Sequence, residues 1–367
     1  MGFQTDPSES ATVAPREVVR QSAEAVIAQA VADAPGRAAQ LDILVLSAGG
    51  QYGAFGAGFM QGWSTNGRPD FNIVTGVSAG AMIAPVAFAG PEFDGLLDRY
   101  NGLDEGDVLR RNYLRILTSS SATTPGPLAD YLDDSLDEAL LTRIAERQEQ
   151  EGAELYISAA SLDTTASRVF RISDIAASDA EMQAKRDCIR EAMLASAAVP
   201  IIFPPRHIDG ELYADGGLRE HVFLEGIVEA VDAFRSNGAT NIDVNVYIII
   251  NGELAKPQLT AAGLPAEPVD NNVFGIAGRS ASILADDVLR SSIIETIRVA
   301  QNPDNIGDWT IQGIVAPAEA TANCTSEDFG FDACVTSALF AAGKSLASQP
   351  DIPWLTGDRL LKIAQEL

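Results

Sequence analysis

The sequence predicts a three-layer α/β/α fold with a mostly parallel central sheet, and three observations carry that expectation. Two strand, glycine turn, helix units follow one another early in the chain, at "LDILVLSAGGQYGAFGAG" (41–58) and "FNIVTGVSAGAMIAPVAFAG" (71–90). Their strand-like runs are short and apolar, as in strands covered on both faces. Helical and strand-like stretches keep alternating afterwards, an order that places helices on both sides of a sheet.

The elements follow in order. Residues 1–15 are polar, carry two prolines and read as a flexible lead-in. "REVVRQSAEAVIAQAVADA" (16–34) has a helical pattern, and "LDILVLS" (41–47) is a strand that breaks into glycines and continues as a helix through "FMQGW". "FNIVTG" is a second strand, "VSAG" a turn and "AMIAPVAFAG" the start of a buried helix. After the polar break "TSSSATTPGPL" (118–128), "ADYLDDSLDEALLTRIAERQEQEG" (129–152) reads as helical. "AELYISAASLD" and "SRVFRISDI" alternate like strands, "RHIDGELYADGG" (206–217) reads as a hairpin, and "VNVYIII" (244–250) as a buried strand. The proline-bearing stretch 253–271 reads as a loop excursion before a long helical pattern. At 367 residues one domain over 16–367 is the simplest partition, with a motif-bearing core at 41–252 and a C-terminal helical elaboration at 253–367.

Counting 25 Lys and Arg against 51 Asp and Glu leaves a net charge of −26, the wrong sign for a nucleic acid and unfavourable for an anionic membrane surface. No apolar run reaches the roughly 18 residues that span a bilayer. The three cysteines, Cys188, Cys324 and Cys334, have no CxxC or His/Cys spacing, so neither a metal nor another cofactor is expected. Cys324 and Cys334 stand ten apart in a polar segment, which suits a disulfide loop and favours an extracytoplasmic location. The N-terminal stretch shows neither the charged nor the apolar region of a signal peptide.

Gly76-Val77-Ser78-Ala79-Gly80 fits Gly-x-Ser-x-Gly, with the strand before it and the helix after it that a strained nucleophile turn requires. The helix N-terminus after Ser78 favours negative charge developing on an attacked carbonyl. "SAGGQYGAFGAG" imitates a phosphate-binding loop poorly, lacking the first glycine and any Lys-Ser/Thr ending. Glycines that let amides approach an oxyanion explain it better. For the proton acceptor, two histidines exist, His207 and His221, and Ser78, Asp215 and His221 stand formally in triad order. The other choice is a carboxylate acting directly. Asp209 occupies the hairpin's Asp-Gly turn, where such pairs belong for backbone reasons, whereas Asp215 stands at a strand end before two glycines.

At these residues the chain resembles the patatin-like phospholipase family, which includes the catalytic module of the group IV cytosolic phospholipases. Four pieces match in order: "LSAGGQYGAFGAG", "GVSAG", "ASAAVPIIFPP" (195–205) and "YADGG" (213–217), within about residues 41–252. The resemblance implies a Ser-Asp dyad, with Ser78 the nucleophile, Asp215 the general base and Gly49 and Gly50 the oxyanion-hole amides. It implies hydrolysis of lipid carboxylic esters through an acyl-enzyme, at a transient membrane or micelle interface. A soluble short-chain carboxylesterase and a non-catalytic lipid-binding member are the alternatives. Two positions depart from the family: Ala48 replaces the first of three glycines, and Tyr52 stands where many members carry Arg or Lys. As a base at neutral pH, Asp215 is expected to be buried enough to raise its pKa. Phe55, Phe59, Met60, Trp63, Met82 and Phe88 are expected mostly as core.

Overall fold

The computed structural model describes residues 15–111, 123–124, 126–200, 202–238, 242–254, 273–302, 309–324 and 330–366. The lead-in up to residue 14, most of the break at 118–128 and the excursion at 255–272 lie outside the described residues.

Among the described residues nine strands form one sheet: β1 (Ala39–Leu46), β2 (Ile73–Val77), β3 (Glu154–Ser161), β4 (Ser167–Arg171), β5 (Arg206–Ile208), β6 (Glu211–Asp215), β7 (Ile242–Ile250), β8 (Trp309–Val315) and β9 (Leu355–Thr356). Their order is β9-β8-β7-β1-β2-β3-β6-β5, with β4 also on β3. The central pairs β8/β7, β7/β1, β1/β2 and β2/β3 are all parallel.

Period-2 alternation sends the strand side chains to two separate cores. Leu44, Leu46, Val74, Leu155, Ile157 and Ile249 point to one face, and Leu41, Ile43, Val45, Ile73, Val246 and Ile248 to the other. The first face is covered by α2 (Gly53–Ser64), α3 (Ala79–Ala89), α5 (Glu138–Glu151) and α10 (Ala333–Ala347). The second is covered by α1 (Pro15–Ala32), α8 (Glu225–Ser236), the C-terminal half of α9 (Val273–Ala300) and α11 (Gly357–Glu366). Three layers result, as the sequence predicts. Phe55, Phe59, Met60 and Phe88 are fully enclosed and Trp63 and Met82 nearly so, in agreement with a core role. Enclosing each such side chain stabilises the fold by roughly 1.5–3 kcal/mol.

Two expectations change. The stretch read as one helix over 129–152 is two, α4 (Gly126–Ser135) and α5, because the Asp137 side chain accepts the Leu140 amide at 2.8 Å and starts a new helix. The C-terminal region, read as helical, also extends the sheet with β8 and β9. Its Trp354 packs edge-on against Phe59 and Trp63, with centroids 5.3 Å and 5.0 Å away.

Candidate active site

β1 is the switch point of the sheet. The connection from β1 crosses one face through α2, whereas that from β7 returns along the other through α9. The crevice at the C-terminal ends of such a strand pair is where open α/β sheets bind ligands. Ser47 and the glycines after it lie there, and Ser78 follows the C-terminal end of neighbouring β2.

Ser78 is a sharp elbow between β2 and α3, with φ 51° and ψ −116°, a combination that costs a non-glycine residue energy unless neighbours enforce it. Neighbours do so closely. A side chain at Gly80 would come within 2.2 Å of the Leu46 carbonyl oxygen, so only glycine lets α3 start this close to β1.

The pairing of β3 brings the elbow to Asp215. Residues 156–160 of β3 pair with β4. Because Tyr156, Ile157 and Ser158 also pair with β2, and Ala159 and Ala160 with β6, β2 and β6 share the opposite side of β3. They run toward each other and meet where Val77 faces Ser158 and Asp215 faces Ala159. At that meeting point Ser78 Oγ donates to Asp215 Oδ2 at 2.6 Å. The other carboxylate oxygen, Oδ1, accepts the Gly217 amide at 2.7 Å. Both residues are about 5% exposed. Burial raises the Asp215 carboxyl to about 6, against the lowering pull of Ser78 and of the Gly217 amide.

Asp209 and Gly210 have φ values of 51° and 84°, as the tight hairpin turn between β5 and β6 requires. His207 is exposed on β5, opposite Leu212. His221 is buried, and neither ring nitrogen makes a hydrogen bond, so it does not bridge Ser78 and Asp215. Burial holds its imidazole down at about 4, against the raising pull of the Gly217 backbone. The triad order available in the sequence is therefore not assembled.

Gly49 and Gly50 follow β1 beside the elbow. Their amides donate to no backbone acceptor among the described residues, whereas the Ala48 amide is spent on the His221 carbonyl at 3.3 Å. This explains how alanine is accepted at the first position of the loop: its amide faces the fold. The loop is pinned from β7, since Asn251 donates its backbone amide to Ser47 Oγ at 2.8 Å and its side-chain Nδ2 to the Ser47 carbonyl at 2.7 Å. A side chain at Gly49 would run into the Asn251 carbonyl oxygen at 1.7 Å. Tyr52 Oη donates to Glu253 Oε1 at 3.0 Å. Asn251, Glu253 and the structural use of His221 have no local signal in the sequence, because their partners are up to 204 positions away.

Cys324 and Cys334 form a disulfide. Among the described residues no group of His, Cys, Asp or Glu is arranged to hold a metal, and no helix is long and apolar enough to cross a membrane.

Residues 44–226 match the family model described as patatin-like phospholipase. No curated protein matches this chain. The crystal structure of VipD from Legionella pneumophila aligns with 89% of this chain and 67% of its own at 12% identity and a TM-score of 0.32, a likeness too slight to carry an argument. On the family match, the chain belongs to the patatin-like phospholipase family, whose domain it carries at residues 44–226.

Proposed function

We propose that the chain is a lipid acyl hydrolase that cleaves carboxylic esters with Ser78 as nucleophile and Asp215 as its only general base. The observation that carries this reading is the 2.6 Å hydrogen bond from Ser78 Oγ to Asp215 Oδ2, with no imidazole joined to either residue. As the Oγ to carbonyl carbon bond forms, the hydroxyl proton passes to Asp215 and the carbonyl π pair becomes an oxyanion. The Gly49 and Gly50 amides and the unpaired first-turn amides of α3 stabilise that charge. The bond to the leaving alkoxide breaks as Asp215 returns the proton to it. Water then attacks the acyl-enzyme by the same route, with Asp215 again taking and returning a proton.

A fluorophosphonate probe tests the nucleophile: it is expected to label Ser78 and to fail on Ser78→Ala. An unlabelled native protein would favour the non-catalytic, lipid-binding alternative.

A lipid aggregate rather than a monomeric ester is favoured by the distribution of exposed apolar side chains. Among the described residues the large ones are Leu162, Leu218, Ile276, Ile283 and Leu284. Leu162 follows the C-terminal end of β3 and Leu218 lies three residues after Asp215. The other three lie on the N-terminal part of α9, which descends from the end of β7, so all five belong to the Ser78 end of the sheet. The rate is expected to rise as a substrate passes its micelle threshold. A rate that stays flat through the threshold would support the soluble carboxylesterase instead.

A further inference from the structure

We infer that Ser196 is a positioning residue for the reaction, and that residues 196–198 form a clamp that sets the distance between Ser78 and Asp215; this rests on the dyad reading above. Ser196 is the last residue of α7 (Met182–Ser196) and is wholly buried. Its Oγ accepts the Ser78 backbone amide at 2.9 Å and donates its proton to the Ser158 carbonyl at 2.7 Å. Two residues on, the Ala198 carbonyl accepts the Asp215 amide at 3.0 Å. One short segment thus holds the backbones of both partners.

The need for a clamp follows from the sheet. β2 ends at Val77 and β6 ends at Asp215, and the two tips meet on one side of β3. Between opposed tips no continuous ladder can bind both chain ends. The gap falls at Ser78, whose turned backbone has left the strand direction. The Ser196 hydroxyl fills it, linking the Ser78 N–H to the Ser158 C=O on β3 through a single oxygen. Among the described residues it is the one side-chain group that both accepts from the elbow and donates to the strand against which Asp215 is registered.

An elbow at φ 51° keeps its conformation only while its surroundings over-determine it. Without the hydroxyl, the Ser78 amide and the Ser158 carbonyl each lose this buried partner. The elbow then relaxes toward an ordinary turn, and Oγ withdraws from Asp215. Because the Ser196 side chain lies beneath the elbow and contacts no substrate in this scheme, its loss alters the chemical step and leaves ester binding alone.

The test is steady-state kinetics on the full chain with a soluble chromogenic ester, comparing wild type, Ser196→Ala, Ser196→Thr and Asp215→Ala, with Tm measured on each. Ser196→Ala is expected to lower kcat by about 10- to 100-fold, the effect of a lost buried hydrogen bond, with KM unchanged. Ser196→Thr, which keeps the hydroxyl, is expected to recover most of kcat. Wild-type kcat in Ser196→Ala, or equal losses in the alanine and threonine variants, would overturn the clamp. If Ser196→Ala does not fold, Ser196→Cys serves, because a thiol of similar size is a weak hydrogen-bonding group; a reduced kcat supports the clamp and a wild-type kcat overturns it. Asp215→Ala separates the two proposals: should it keep wild-type activity, the dyad fails whatever Ser196 does.

Discussion

Asp215 Oδ2 accepts a hydrogen bond from Ser78 Oγ at 2.6 Å, across the point where two strands of one sheet meet tip to tip. The carboxylate works as a base only when ionised, and burial raises it to about 6. Activity is therefore expected to climb with pH, half-maximal near 6 and level above 7, in a kcat/KM profile measured from pH 4.5 to 8.5. A midpoint at the ordinary carboxylate value near 4 would show that Asp215 is not held in this environment.

The same shift makes a stability prediction of defined sign. The folded value lies above the 3.8 of an unfolded aspartate, so between about pH 4 and 6 the unfolded chain releases its proton first, and stability declines across that window. Above pH 6 the full penalty remains, of order 2–3 kcal/mol. Asp215→Asn, which keeps the shape and removes the charge, is expected to be inactive and yet to melt higher than wild type at pH 8. The gain should shrink toward pH 4. A lower Tm for the variant at pH 8 would contradict the burial argument.

His221 supplies the contrast. Its imidazole, held down to about 4, is neutral throughout the range in which Asp215 titrates. Its folded pKa is depressed, so its effect on stability runs the other way: between about pH 4 and 6.5 the unfolded chain binds the proton more readily, and stability rises with pH. Its backbone anchors the start of the glycine loop, because the His221 carbonyl accepts the Ala48 amide. His221→Asn is therefore expected to retain more than half of kcat and to leave the pH midpoint in place, and His207→Ala to have no effect. A pH midpoint that moves in His221→Asn would restore the histidine to the proton path.

The site was legible in the sequence wherever chemistry demands a residue type in a local pattern. Gly76 to Gly80 announce an elbow, and the two glycines after β1 announce a loop that approaches another chain segment closely. Asp215 could be told from Asp209 because a hairpin turn already accounts for Asp209. The supports were not legible. Ser196 acts through a hydroxyl on the backbone of a residue 118 positions away, and Asn251 through contacts with Ser47 across 204. Neither leaves a periodicity or spacing. The break at Asp137 was missed because one capping aspartate stands among many acidic residues on a helical pattern. β8 was missed because Thr310, Gln312 and Gly313 interrupt its apolar run, although Ile311 and Ile314 are buried.

The disulfide gives a prediction about the Gly49–Gly50 loop. Cys334 lies in the first turn of α10, two residues after Asp332, whose side chain caps that helix and whose backbone amide donates to Gln51 Oε1 at 3.3 Å. Gln51 stands between Gly50 and Tyr52, so the disulfide braces a contact to the loop itself. Breaking the crosslink of a loop of this size frees the unfolded chain and lowers stability by about 2–3 kcal/mol. Cys324→Ser is expected to lower Tm and to reduce kcat about 2- to 5-fold, and dithiothreitol to do the same to wild type but not to the variant. Unchanged kcat after verified reduction would confine the disulfide to stability.

The Tyr52–Glu253 hydrogen bond gives a prediction about head groups. Where a cation would attract a phosphate, this chain has a tyrosine whose hydroxyl donates to a half-buried carboxylate. Burial raises that carboxyl and the Tyr52 hydrogen bond lowers it, while nearby Glu319 raises it further. An ionised Glu253 beside Tyr52 and the Gly49–Gly50 loop is expected to repel an anionic substrate. Glu253→Gln is therefore expected to raise kcat/KM on an anionic phospholipid by about 3- to 10-fold relative to a neutral glyceride of the same acyl chains. Tyr52→Arg should act in the same direction more weakly, because the new guanidinium would be held by Glu253. The two variants are assayed on mixed micelles of each lipid, so that surface dilution is shared. Equal rate changes on both lipids would remove charge from the explanation and leave only a packing role for the pair.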